Sequence, residues 1–183
     1  METKNVREFL DYYEKVRQRT LRVIACIPKE KYDWTYREGK FSFADLIRHL
    51  GAIERYMYGE TAQFKPSCYP GHGKELADEP ENVLEFFHRM HRESMEIFGR
   101  LSNDELQKKC ITPGGTLITL WKWLRAMVEH EIHHRAQIYT YLGMLGITAP
   151  PMYGLTSEEV RERSRTDRRS TAKEATVASQ SEK

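Results

Sequence analysis

Residues 116–143 read TLITLWKWLRAMVEHEIHHRAQIYTYLG, and the spacing of their apolar side chains decides the class of fold. Leu117, Leu120, Leu124, Met127, Val128, Ile138 and Leu142 fall on one stripe at helical steps, the pattern of a helix buried along one face. Thr116 stands where a cap is needed, and Gly143, Gly146 and Pro150-Pro151 supply stop signals. At 1.5 Å per residue such a helix is roughly 30 Å or longer. It buries its stripe only against other helices.

Three further stripes lie upstream. Val6, Phe9, Leu10, Tyr13, Val16, Val23 and Ile27 form the first, which Pro28 ends. Phe43, Leu46, Ile47, Leu50, Ile53 and Met57 form the second, and Ser42 stands three residues before Asp45 in a reciprocal capping pattern. Val83, Leu84, Phe87, Met90, Phe98 and Leu101 form the third. Asp78-Glu79-Pro80 opens it with an Asp cap and a proline tolerated in the first turn.

Between the second and third stripes, residues 63–77 are rich in turn formers, including Lys65-Pro66-Ser67 and Tyr69-Pro70-Gly71-His72-Gly73, and read as a long loop. Ser102-Asn103-Asp104-Glu105 reads as a capped helical turn, Pro113-Gly114-Gly115 as a break, and no segment reads as a strand. The expectation is an all-α four-helix bundle over residues 1–155, with a long loop between helices 2 and 3. Residues 156–183 are expected to form a hydrophilic, disordered tail, with one helical turn near Ser157-Glu158-Glu159.

Composition agrees. A chain of 183 residues suits one domain, and 39% hydrophobic residues can fill one core. Aromatic residues at 11% exclude a wholly disordered chain. The mean hydropathy of −0.70 gives a strongly polar surface. Of the net charge of +2, the segment Arg161–Lys183 carries +3, seven basic residues against four acidic, so the body is near neutral. Nucleic-acid binding normally needs a basic face on the folded part, and none is expected here. The start, Met1-Glu2-Thr3-Lys4-Asn5, has no apolar signal region, and no apolar run reaches membrane-spanning length. Cys26, Cys68 and Cys110 are odd in number and widely spaced, which fits neither a disulfide framework nor a zinc ribbon. A cytoplasmic protein without a membrane partner is expected.

The seven histidines carry the functional signal. His130 and His134 stand four apart, so they project one turn apart from one helix face, close enough to share a metal. Met127 and Ile138 place that face towards the bundle interior. On the second helix, His49 lies between Leu46 and Ile53 on the inward side. A single histidine on an apolar face is most often a hydrogen-bonded core residue. Two at helical spacing, with a third on another inward face, favour a three-histidine metal site.

His133 is expected off that face and exposed. His130-Glu131-Ile132-His133-His134 also satisfies H-E-x-x-H, the zinc-protease pattern with Glu131 as general base. That reading is disfavoured, because no histidine follows His134 and no edge strand precedes the motif. His88 and His91, flanked by Arg89 and Arg92, read as a boundary or exposed pair rather than ligands. Gly71-His72-Gly73-Lys74 lacks the spacing of a phosphate loop and reads as a turn. Trp121 and Trp123 read as packing residues. The loop bearing Tyr69, His72 and Lys74 is expected to border the mouth of the site, and Glu131 and Asp45 are candidates to orient the imidazoles.

The string from Phe41 through Phe43, Asp45, Leu46 and His49 to Leu50 is similar to the first histidine motif of the DinB/YfiT-like family of metalloproteins. The segment from Trp123-Leu124 through His130 and His134 to Gln137-Ile138 resembles that family's second motif. Leu145-Gly146-Ile147 with Pro150-Pro151 resembles its ending. Ala136 stands where many members carry glycine. The resemblance covers roughly residues 5 to 155, a usual domain length. It implies a four-helix bundle with a metal on His49, His130 and His134, frequent homodimers, and thiol-dependent S-transferases or isomerases.

Three neutral imidazoles leave a divalent ion its full charge and an open position. Zinc or nickel leads, with manganese and iron also compatible. The first expectation is therefore a metal-dependent enzyme that activates a low-molecular-weight thiol against an electrophilic substrate. A metal-dependent hydrolase using metal-bound hydroxide is the second. A non-enzymatic, metal-stabilised dimeric stress-response or binding protein is the third.

Overall fold

Asn5 opens the first helix by accepting the Glu8 amide on its side-chain oxygen at 3.1 Å. The computed structural model describes residues 3–166. Helix α1 (Val6–Ile24) ends before Pro28 and presents Phe9, Tyr13, Val16 and Val23 to the core. Helix α2 (Phe43–Ile53) starts at the expected capping box, with the Asp45 amide donating to Ser42 Oγ at 3.1 Å and the Ser42 amide donating to Asp45 Oδ2 at 2.9 Å. A π turn (Glu54–Tyr58) and a short helix α3 (Gly59–Ala62) prolong the same run. Helices α4 (Pro80–Gly99) and α5 (Leu120–Met144) complete the set.

Each of α1 and α2 packs against both α4 and α5, so the rods follow one another around the bundle as α1, α5, α2, α4. Phe43, Leu46, Ile47, Phe87, Phe98, Leu120 and Leu142 are at most 1% exposed and fill the centre. At a typical 1.5–3 kcal/mol for each fully buried large apolar side chain, this burial dominates the stabilising side. Gly51 sets the approach of α2 to α4: a Cβ there would lie 3.3 Å from Phe86 Cε1 and 3.4 Å from Phe87 Cα.

Four expectations need correction. Strands β1 (Lys109–Ile111) and β2 (Leu117–Thr119) form an antiparallel hairpin, pairing Cys110 with Ile118. The run Lys109-Cys110-Ile111-Thr112-Pro113-Gly114-Gly115-Thr116-Leu117-Ile118-Thr119 holds two short β-prone pieces around a turn. Leu117 accordingly lies in a strand and is 57% exposed. Thr116 bonds into the turn, its amide meeting Thr112 Oγ1 at 3.1 Å, while Thr119 takes the N-cap position of α5.

Asp78 does not cap α4. Its carboxylate accepts the Glu79 amide at 3.0 Å, and Glu79 precedes Pro80 with φ 63°. In the tail, residues 157–166 are helical, started by a reciprocal Thr156–Glu159 capping pair, and none is buried. The remainder of the expected disordered tail, residues 167–183, lies outside the described residues. Contacts divide the chain into a unit Met1–Ala149 and a unit Pro150–Lys183. Among the described residues no helix is long and apolar enough to cross a membrane.

Candidate metal centre

His49 projects from α2 and His130 and His134 from α5, all three half-buried. Their ring nitrogens converge. His130 Nε2 lies 3.1 Å from His49 Nε2 and 3.0 Å from His134 Nε2. Among the described residues these three form the one set of three or more His, Cys, Asp or Glu ligand atoms close enough to share an ion, all within 4.8 Å of one another.

The outer nitrogens are held. His134 Nδ1 meets Gln137 Oε1 at 2.5 Å, and an amide oxygen only accepts, so that nitrogen carries the proton and Nε2 is bare. His49 Nδ1 meets the Tyr69 hydroxyl at 2.7 Å. One proton on His130 Nε2 can bridge only one of its two short contacts, so an unspent lone pair faces the centre. That is donor chemistry for a cation. Two nitrogens each about 2.0–2.1 Å from a zinc ion, near the tetrahedral angle, stand about 3.3 Å apart, close to the spacing found here.

Electrostatics keep the trio neutral. Burial, followed by the neighbouring His134 and His130, pulls the His49 pKa down to about 3. Burial, then His134 and His133, pulls His130 down to about 4. His134 is also lowered, by burial, against the opposing Gln137 bond. Neutral imidazoles are the ligating form.

Behind α5 the polar side chains have another task. Glu131, next to His130, is turned towards α1: its side chain is 2% exposed, 3.0 Å from Arg17 Nη2 and 2.6 Å from Thr20 Oγ1. Arg17 also pairs with Glu54, at the start of the π turn, and donates to Tyr13 at 2.9 Å. The guanidinium carbon lies 4.0 Å from the Phe87 ring centroid. One buried cation thus ties the two ligand-bearing helices together from the far side. Glu131 is no free base, which removes the zinc-protease reading. Neither Glu131 nor Asp45 orients an imidazole: Asp45 pairs with Ser42 and with Arg48 at 2.7 Å. The outer nitrogens of His49 and His134 meet Tyr69 and Gln137 instead.

His91 is a further correction. It is 8% exposed, with Nδ1 2.8 Å from Glu54 and Nε2 3.0 Å from Glu14. It follows Phe87 by four residues on the buried face of α4, a signal stronger than its arginine neighbours. His88 is exposed, and so is His133, as expected. Sequence reasoning also missed Arg17 and Gln137. Arg17 sits four residues after Tyr13 on the apolar stripe, and Gln137 three after His134, so spacing could have flagged both.

A cleft of about 670 Å³ opens beside His134, with Tyr36, Lys40, Phe41, Tyr141 and Met144 among its lining residues. Tyr141 packs its ring 5.5 Å from Trp34 and Phe43 and 5.4 Å from Tyr36, which stiffens the wall. Trp123 is a packing residue, its indole N–H donating to Thr61 Oγ1 at 2.8 Å.

Known proteins share this architecture. YjoA of Bacillus subtilis strain 168, an uncharacterized protein, is 23% identical over 130 residues, which are 69% of this chain and 82% of YjoA. The crystal structure of YjoA, described as DinB-like, matches with a TM-score of 0.64 at 17% identity, over 81% of this chain and 99% of that one. YfiT from Bacillus subtilis is described as a probable metal-dependent hydrolase with an unusual four-helix bundle topology. It matches with a TM-score of 0.65 at 16% identity, over 81% of this chain and 91% of YfiT. A mycothiol-dependent maleylpyruvate isomerase matches with a TM-score of 0.61 at 15% identity, over 82% of this chain and 65% of the isomerase. At these identities the solved structures speak to the fold. A model of the DinB superfamily matches residues 12–138. On that match, across more than half its length, the chain belongs to the DinB superfamily.

Proposed function

We propose that His49, His130 and His134 hold a divalent metal ion, and that the chain is a metal-dependent enzyme activating a low-molecular-weight thiol for S-transfer or isomerisation. The observation that carries this reading is the convergence of the three Nε2 atoms, with His130 Nε2 within 3.1 Å of both partners. The mycothiol-dependent isomerase among the structural relatives supports the thiol. Zinc or nickel fits three imidazoles best, and manganese and iron also fit.

When bound, such an ion supplies Lewis acidity, which lowers the pKa of a thiol that starts near ~8–9 or of a water molecule. Every other contribution comes from the chain. Gln137 accepts the Nδ1–H of His134, keeping the inner lone pair of that ring aimed at the centre. Phe41 packs its ring edge-on to His49, with centroids 5.5 Å apart, on the side of the cleft. The cleft beside His134 has space for an electrophilic substrate against Tyr36 and Tyr141.

Hydrolysis is the second reading, favoured by the description of YfiT. A panel of thiols with electrophiles, run beside ester and amide substrates on metal-loaded protein, tests both. Turnover that requires thiol and metal together supports the first reading. Metal-dependent turnover without thiol supports hydrolysis. Turnover unaffected by chelation overturns both.

A further inference from the structure

The loop from residue 63 to residue 79 is anchored on both sides of Tyr69. Arg48, immediately before His49 on α2, is 1% exposed and spends its donors on this region. Its Nε donates to the His72 carbonyl at 2.8 Å, its Nη1 to the Ala77 carbonyl at 2.9 Å, and its Nη2 to Asp45 at 2.7 Å. On the other side, the Cys68 amide donates to the carbonyl of Tyr56, inside the π turn, at 2.9 Å. Tyr69 lies between these anchors. Its ring stands edge-on to His49, with centroids 5.7 Å apart at 86°, and its hydroxyl reaches His49 Nδ1 at 2.7 Å. No carboxylate bonds His49 among the described residues.

We propose that Tyr69 is a positioning residue of the metal centre, its phenol oxygen accepting the Nδ1–H of His49. That bond holds the ring so that Nε2 faces His130 and His134, with Arg48 and the π turn holding the loop in register. The proposal rests on the reading of His49 as a ligand. A neutral acceptor suits an ion that must polarise a thiol or water. It orients the imidazole as a carboxylate would, but adds no negative charge near the ion. Without the oxygen, the imidazole is free to turn about its χ2 and offer the wrong nitrogen.

Tyr69→Phe keeps the ring and removes only that oxygen. Competition against a chromophoric chelator reads zinc affinity, and the variant is expected to bind about 10–100-fold more weakly than the wild type. In nitrogen-edited spectra of the zinc-loaded protein, the hydrogen-bonded Nδ1 proton of His49 is expected to vanish. The melting temperature of the metal-free protein should not change. Arg48→Met, which frees the loop, is expected to weaken zinc in the same direction, while Tyr12→Phe, at an exposed tyrosine, is expected to change nothing. Zinc affinity of Tyr69→Phe within about twofold of the wild type overturns the proposal. So does a metal-free variant that has lost stability, since the role is then structural. A wild type that takes up no zinc overturns the ligand reading itself, an outcome distinct from a wild type that binds and a variant that binds equally well.

Discussion

Replacing Arg17 with methionine strands two buried carboxylates. Glu54 and Glu131 each have side chains 2% exposed, and Arg17, itself 2% exposed, is the cation between them. An exposed ion pair contributes about 0.2–1 kcal/mol. Removing one partner of a buried pair costs about 3–5 kcal/mol, because the remaining charge has neither water nor a counter-ion. The upper half of that range is expected, since two buried carboxylates lose the cation they share, Glu131 keeping its bond to Thr20 and Glu54 its bond to His91. For a chain of this size, about 1 kcal/mol moves the melting temperature by about 2–4 °C, so a fall of roughly 8–20 °C is expected.

Urea denaturation of the metal-free protein, followed by circular dichroism, measures the loss as a lowered midpoint with an unchanged slope. The triple variant Arg17→Met, Glu54→Gln, Glu131→Gln removes the stranded charges and is expected to recover more than half of the loss. An Arg17→Met cost below about 1 kcal/mol, or a triple variant no more stable than the single one, refutes the reasoning.

His91 makes stability pH-dependent in a stated direction. Burial alone would lower its pKa, but the bonds and charge of Glu54, helped by Glu14, raise it above the ordinary value. A raised folded pKa means the contribution is complete below the unfolded value of about 6.5 and is lost as pH rises through the folded value. The stability difference between wild type and His91→Gln should therefore shrink as pH rises above about 6.5, and a flat difference contradicts this. Gln137 is expected to act on His134 in two opposite directions. Gln137→Leu weakens zinc about 10–100-fold, while Gln137→Glu, a stronger acceptor for the same Nδ1–H, tightens it; chelator competition checks both. Zinc at a hundredfold excess over its Kd should stabilise the folded protein by about 2.7 kcal/mol, and His49→Ala should abolish that gain in a thermal scan.

The four long helices were legible because each carries an apolar stripe many turns long, and the Ser42–Asp45 cap marked the start of α2. The hairpin was not, because strands of three residues are too short to show alternation. Extending the α5 stripe back to Leu117 carried the helix across strand β2 (Leu117–Thr119). The three ligand candidates could be read from spacing alone, since His130 and His134 share a face and His49 sits on the inward side of its own helix.

The supporting residues were harder for a physical reason. A charged side chain on an apolar stripe either reaches out to water or is buried with a partner, and the partner lies on another helix. Arg17, Glu54 and Glu131 come from three different segments, so their pairing appears only once α1, α2 and α5 are packed. Tyr69 was placed near the mouth of the site, but its bond to His49 depends on a loop whose path Arg48 and Tyr56 determine.

Elemental analysis of tag-free protein, beside the single variants His49→Ala, His130→Ala and His134→Ala, bears most directly on the three-nitrogen centre. The account predicts about one divalent ion per chain in the wild type, as one three-ligand site requires, and its loss in each variant that remains folded. A folded wild type without metal after incubation with zinc or nickel would contradict it, as would a His49→Ala variant that holds the ion as tightly as the wild type.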